Sequence, residues 1–333
     1  MALDRLHEPG SLAQDRRVDS AVVDASISAI DTKMIGLDLV TSAYLLHGDE
    51  PALVETGPST SEAAVAGGLE QLGIGPSDLA HVVVTHIHLD HAGGVGRLSR
   101  RFPRATIWVH ERGAPHLAEP SRLVASTARV YGEETMRAWF GAVEPAPSER
   151  IAPVGDGDVI PLGSRSLEVL YTPGHASHHV ALIDSQTGGI FVGDALGIHL
   201  PDVGVLRPAT PPPDIDVEVA VRSIERIRER ASSTLLLSHY GAVPEIDAMC
   251  DLSIVRIRGW ADQVREGLRS SDDLDRIARL LEKRGTADAL ADAGPGADLD
   301  RYDMLASYRI NAAGLIRYWK KRWEREAAGG SSQ

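Results

Sequence analysis

Thr85-His86-Ile87-His88-Leu89-Asp90-His91 sets three imidazoles and a carboxylate within six residues, directly after the run Ala80-His81-Val82-Val83-Val84. The β-branched run reads as a short buried strand. In an extended segment residues two apart project to the same side, so His86 and His88 can converge on one ion. Asp90 and His91 are adjacent and diverge as the chain turns into a helix before Gly93-Gly94, which suits a second ion beside the first. Neutral imidazole and carboxylate are the ligands expected for zinc, manganese or iron, with positions left open for water.

Outward from this stretch, three more ligand-type residues each follow a strand signal. His175 comes after Leu167 to Tyr171 through Thr172-Pro173-Gly174, and Asp194 after Ile190-Phe191-Val192-Gly193. His239 comes after Leu235-Leu236-Leu237-Ser238. Strand ends are where open α/β sheets carry functional groups. A lone histidine there is commonly a hydrogen-bonded structural residue. Seven ligand-type residues at four strand ends form the pattern of a metal centre.

The rest of the chain alternates in the same manner. Strands are expected at Leu37–Val40, Ala43–Leu46, Ala52–Glu55, 105–110 and 180–183, and helices at Ser59–Leu72 and Val217–Arg230. Everything after about Pro244 reads as helical. Interleaved strands and helices predict an α/β protein. The organisation expected is an N-terminal arm or short edge element over residues 1–33, a core over 34–243 with a helical insertion at about 112–148, and a helical region over 244–333.

Thr85 to His91, Thr172-Pro173-Gly174-His175, Gly193-Asp194 and Ser238-His239 stand in the order of the signature motifs of the metallo-β-lactamase superfamily, which the chain resembles over about residues 34–243. The resemblance implies an αββα sandwich of two mixed sheets, here carrying a helical insertion and a helical C-terminal extension. It also implies two divalent metal ions, zinc first, with manganese or iron as alternatives. One ion would sit on His86, His88 and His175 and the other on Asp90, His91 and His239, with Asp194 bridging. The family usually has Asp-Thr-Gly where this chain has Glu55-Thr56-Gly57, so Glu55 is expected to do that aspartate's orienting work.

The implied activity is a metal-dependent hydrolase of thioesterase or lactonase type, in which a metal-bridging hydroxide cleaves an ester, thioester or lactone bond. Asp90 or Asp194 would move the proton to the leaving group, and Tyr240 or Tyr44 is a candidate oxyanion donor. Glyoxalase II-like thioesterases match all seven ligands. Lactonases do too, but usually carry a tyrosine where this chain has Ala195-Leu196-Gly197. Exported class B β-lactamases lack the bridging aspartate. A mononuclear iron sulfur dioxygenase of the glyoxalase II-like branch is the alternative, because it keeps the same motifs.

Composition bounds the partners. The 333 residues carry 34 Lys and Arg against 47 Asp and Glu, a formal charge of −13, which disfavours nucleic acid and leaves a small acyl molecule as the expected substrate. No apolar run approaches the roughly 20 residues of a membrane span, and the charged N-terminus shows no signal core, so a cytoplasmic location without membrane contact is expected. The single cysteine, Cys250, reads as a buried inert thiol on a helix.

His179 is expected to support the ligands rather than join them, while His110, His116 and His178 have no metal spacing. His7, His47, His81 and His199 read as surface or packing residues. The insertion would form a lid with Tyr131, Trp139 and Phe140. The last helix, with Arg317, Lys320, Lys321, Arg322 and Arg325 around Trp319 and Trp323, reads as a solvated basic face docked on the core or as a homodimer contact. Its sharper alternative is a site for an anionic carrier.

Overall fold

The computed structural model describes residues 20–294 and 299–329. Seven strands form the first sheet in chain order: β1 (Ser20–Asp24), β2 (Ile27–Asp31), β3 (Ser42–Leu46), β4 (Ala52–Val54), β5 (His81–Val83), β6 (Thr106–His110) and β7 (Ile151–Val154). Its first four strands are antiparallel and the rest join in parallel. The second sheet uses β8 (Val159–Leu162), β9 (Arg165–Tyr171), β10 (Val180–Asp184) and β11 (Ile190–Gly193). A separate hairpin, β12 (Ile198–Leu200) with β13 (Val205–Arg207), follows. Then β14 (Leu235–Leu237) adds in parallel beside β11, and β15 (Gly241–Val243) closes that edge. Both large sheets are therefore mixed.

Period-two alternation distributes the apolar side chains over both faces. Ala52, Val54, Val169, Leu182, Phe191 and Leu236 point between the sheets and form the central core. Leu53, Val82 and Ile107 face outward against α1 (Glu62–Gln71), the single turn α2 (Leu89–Ala92) and α3 (Val95–Arg101). The insertion supplies α4 (Ala114–Ala118), α5 (Ser121–Tyr131) and α6 (Glu133–Phe140). On the other side Leu170, Ala181, Val192 and Leu235 meet α7 (Val217–Arg230), α8 (Ile246–Leu268), α9 (Leu274–Ala293) and, beyond the short α10 (Asp300–Leu305), α11 (Tyr308–Gly329). Helix, sheet, sheet, helix is the layering expected.

One local expectation needs correction. Leu37–Val40 is not a strand. Asp31 accepts hydrogen bonds from the amides of Lys33 and Leu39, both at 3.0 Å, and so wraps the loop around its carboxylate. Lys33, Ile35 and Leu39 take left-handed φ of 52°, 52° and 57° to make that turn. The N-terminal segment, expected as an arm or a short edge element, is from Ser20 onward a hairpin on the edge of the first sheet, with Ile27, Ala29 and Ile30 buried. Residues 1–19, including His7, lie outside the described residues.

Buried polar contacts lock the C-terminal helices to the core. Arg207 bonds Asp303 at 2.6 Å and the Tyr308 hydroxyl at 3.0 Å, with its guanidinium over the rings of Tyr302 and Tyr308. The Tyr302 hydroxyl receives the Leu200 amide and donates to the Val205 carbonyl, so it clamps β12 to β13. Trp319 is docked, its indole donating to the Ala261 carbonyl at 2.7 Å, while Trp323 remains 37% exposed. Cys250 is fully buried in α8, and burial pushes its thiol up to about 11. Among the described residues no helix is long and apolar enough to cross a membrane.

Candidate metal centre

All seven expected ligands meet at one end of the sandwich. His86 and His88 leave β5, α2 carries Asp90 and His91, and His175 sits in the loop between β9 and β10. Asp194 and His239 follow β11 and β14, whose parallel pairing sets them side by side. His86, His88, His175 and Asp194 present ligand atoms within 4.8 Å of one another, and so do Asp90, His91 and His239.

In the first group His86 Nε2 and His175 Nε2 lie 3.1 and 2.9 Å from His88 Nδ1. Asp194 spans both groups. Its Oδ2 is 3.5 Å from His175 Nε2, while Oδ1 is 3.2 Å from His91 Nε2 and 3.5 Å from His239 Nε2. Asp90 Oδ2 stands 3.6 Å from both His91 Nε2 and His239 Nε2.

A surrounding layer of hydrogen bonds fixes which nitrogen faces inward. His175 Nδ1 donates to the Ala209 carbonyl at 2.9 Å and His239 Nδ1 to the Val40 carbonyl at 3.1 Å, which frees each Nε2 as a lone pair. Thr85 Oγ1 donates to Glu55 and thereby accepts from His86 Nδ1 at 3.0 Å, with the same result. Glu55 Oε1 also accepts from the Ser238 hydroxyl at 3.1 Å and lies 3.5 Å from His91 Nδ1. Buried, with its backbone at a left-handed φ of 68°, Glu55 stands behind the ligands of both groups.

The donor set fits cations. The Nε2 lone pairs of His86 and His175 both converge on His88 Nδ1, which can donate to only one of them, so a positive charge among the three rings satisfies all. In the second group His91 Nε2, His239 Nε2 and Asp194 Oδ1 are buried and have no hydrogen-bond partner among the described residues. Electrostatics agree. Burial and the neighbouring His175 push His88 down to about 4. Burial opposes charge on His91 as well, yet Asp194, Asp90 and Glu55 hold it well above the ordinary histidine range. Burial would raise Asp90, but His91 and His239 outweigh it and bring it to about 2. This half of the centre is thus built to hold positive charge.

The remaining candidates divide. His179 accepts the Asp194 amide at Nε2, 3.1 Å away, and pairs through Nδ1 with Thr172 Oγ1 at 2.8 Å, so it aims the aspartate. Tyr44 is buried between the sheets on the Leu237 carbonyl, and Tyr240 is also buried; neither lines the cavity, which removes both as oxyanion donors. His110 stacks on Tyr171 at 4.6 Å, away from the ligands. His47 and His81 are held by Ser28 and Glu50. His178, whose spacing had given no hint, lies with its ring 5.7 Å from that of His88. Its position beside the centre could be found only from the turn that brings Ile87 onto its Nδ1.

A cavity of about 380 Å³ opens over His88, Asp90, His175 and Asp194. One wall is the insertion, which contributes Leu123, Val130, Tyr131 and Phe140 from α5 and α6. The opposite wall is Pro211–Pro213 with Leu305, Ile310 and Asn311 from the C-terminal helices. Trp139, expected beside Tyr131 and Phe140, packs against both rings at 5.9 and 6.4 Å instead of lining the space.

The family model described as the metallo-beta-lactamase superfamily matches residues 36–239. The metallo-beta-lactamase fold-containing protein of Sulfurisphaera tokodaii is 27% identical over 168 residues, half of this chain and 62% of that protein. A hydroxyacylglutathione hydrolase of Synechococcus is 29% identical, over 57% of this chain and 60% of its own length. The chain thus covers under two thirds of these two relatives. An N-acyl homoserine lactonase of Bacillus cereus is 26% identical over 58% of this chain and 77% of its own. Among solved structures, a metallo-beta-lactamase family protein of Thermus thermophilus superposes with a TM-score of 0.60 at 21% identity, covering 85% of this chain and 89% of that one.

Proposed function

The chain belongs to the metallo-beta-lactamase superfamily, and on that footing we propose that it is a dinuclear metal-dependent hydrolase that cleaves an ester, thioester or lactone bond of a small acyl substrate. The observation that carries this reading is the disposition of Asp194, one oxygen turned to each cluster of histidines. His86, His88 and His175 would hold one divalent ion, Asp90, His91 and His239 the other, with Asp194 between them and zinc as the first expectation. Ions so held lower the pKa of a coordinated water to about 7 and polarise a carbonyl oxygen.

The chain's own groups supply the rest. Asp90 lines the cavity and is ionised, so its carboxylate is placed to take the proton of the attacking water and return it to the leaving group. Tyr131 lines the same space. Burial, together with the charges of Asp90 and Asp194, pushes its hydroxyl well above the ordinary tyrosine range, so it stays protonated and can donate to a developing oxyanion. The apolar walls exclude water from the acyl group. The hydrolase and lactonase names of the relatives support the bond class at low identity.

A single-iron dioxygenase would keep the same residues and leave Asp90, His91 and His239 without a cation, so metal content separates the two readings. Elemental analysis of protein purified without added metal tests this. About two zinc or manganese ions per chain, with turnover of thioesters or lactones, are expected. An Asp194→Ala variant should lose metal and activity together. One iron per chain with oxygen-consuming turnover would overturn the proposal.

A further inference from the structure

The cavity over the metal centre is unevenly charged. Its apolar walls carry three guanidinium groups: Arg112 just after β6, and Arg122 and Arg129 on α5. The last two are seven residues apart, two helical turns, and so share one face. Many other arginines of this acidic chain are matched to carboxylates, as Arg226 is to Asp156, Arg230 to Glu168 and Arg256 to Asp292, and those without such a partner, Arg104, Arg150 and Arg317 among them, do not line this cavity. Among the described residues no carboxylate lies within ion-pair distance of Arg112, Arg122 or Arg129; Arg112 has only the face of Tyr171, 5.9 Å from its centroid. The acidic groups of the cavity are otherwise engaged. Asp214 accepts the Ser177 hydroxyl at 2.6 Å and the Ser177 amide at 3.3 Å, while Asp90 and Asp194 face the histidines.

Unpaired guanidiniums beside an apolar space make a fork for carboxylate or phosphate oxygens. We propose that the natural substrate is an acyl compound with an apolar body and an anionic group. The body lies between Leu123, Val130, Phe140, Leu305 and Ile310, and the anion is taken by Arg122 and Arg129 with Arg112 near it. The inference rests on the hydrolytic reading of the centre. It adds what that reading leaves open, a preference for charge. Carboxylate on the acyl chain and phosphate on the leaving group are the two sources of the same chemistry.

Three thioesters separate them: hexanoyl-N-acetylcysteamine, which is neutral, adipoyl-N-acetylcysteamine, which ends in a carboxylate, and hexanoyl-coenzyme A, which carries phosphates. On the metal-loaded enzyme one of the anionic pair should exceed the neutral ester in kcat/KM by about tenfold or more, mainly through KM. The gain identifies the source. In the Arg122→Gln/Arg129→Gln variant that ratio should fall close to one, and Arg122→Lys/Arg129→Lys should recover part of it. Equal kcat/KM for all three on the native enzyme overturns the proposal. So does a preference that survives the glutamine variant, since the anion would then sit on the metals.

Calorimetry provides a readout independent of turnover. N-phenylsuberamic acid should bind the native metal-loaded protein about tenfold more tightly than the matched neutral diamide. The gap should close in the glutamine variant. If no thioester is cleaved while this difference holds, the hydrolytic reading fails and the anion site stands. Equal binding of acid and diamide removes the anion site whatever the enzyme hydrolyses.

Discussion

Gly193 illustrates how much of the centre depends on a residue with no side chain. Its φ is +51°, and an added Cβ would fall 2.5 Å from His179 Nε2 and 2.6 Å from Thr85 Oγ1. Those two groups hold the Asp194 amide and the His86 ring. Gly193→Ala should therefore displace Asp194 and lower kcat/KM by about a hundredfold, with metal content falling in parallel. The seven ligand types were legible from sequence because a strand end and a two-residue spacing fix their direction. The orienting role of Glu55 came only from the family resemblance and that of Thr85 was not read, since a buried carboxylate reaching hydroxyls about 30 and 183 residues away leaves no local pattern.

Arg165 and Asp184 form a buried ion pair, bonded at 2.6 and 2.7 Å. Burial would raise Asp184, but the guanidinium and Thr187 outweigh it and hold the carboxyl below the ordinary aspartate value. A lowered folded-state pKa gives stability that is complete above the ordinary value of about 3.9 and is lost as pH falls through the folded-state value. Urea unfolding should show native stability declining in that acidic window. Asp184→Asn should cost about 3–5 kcal/mol at neutral pH and flatten that part of the acid dependence.

At the level of elements, the short hairpin of β12 and β13 matters more than its length suggests. It carries Ile198 to the cavity and is held by the Tyr302 hydroxyl from α10. Tyr302→Phe leaves the Leu200 amide without its acceptor and should cost about 1–3 kcal/mol, read as a lower urea midpoint. This hairpin was not read from the sequence, where a histidine interrupts Ile198-His199-Leu200 and an arginine ends Val205-Leu206-Arg207, so neither forms a wholly apolar run. Nor did β8 show itself: Pro161 stands inside Val159-Ile160-Pro161-Leu162 and weakens it as a strand signal. The opposite error at Leu37–Val40 has an equally physical cause. Four mostly apolar residues suggest a strand until the Asp31 carboxylate captures the amide of Leu39. Long periodic elements such as α7 agreed with their sequence pattern at both ends.

For the whole molecule, the centre joins both sheets, so occupancy and global stability are linked. Ions bound only by the folded chain would add about 2.7 kcal/mol per site at a hundredfold excess over Kd. Treatment with a chelator should lower the melting temperature, and zinc should restore it; an unchanged melting curve would deny that the clusters hold metal. The αββα layering and the position of the site were readable because alternation fixes sheets and strand ends fix ligands. The wall from the insertion was expected, with Tyr131 and Phe140 in it, but the opposite wall was not, because residues 211–213 and 305–311 meet it only in the folded chain.

The burial of Cys250 has a practical corollary. A chain whose one native thiol is enclosed in α8 and held up to about 11 is silent to maleimides at neutral pH. A cysteine placed at Ala125, on the exposed side of α5, would take a single fluorophore and report ligand entry beneath that helix against a dark background.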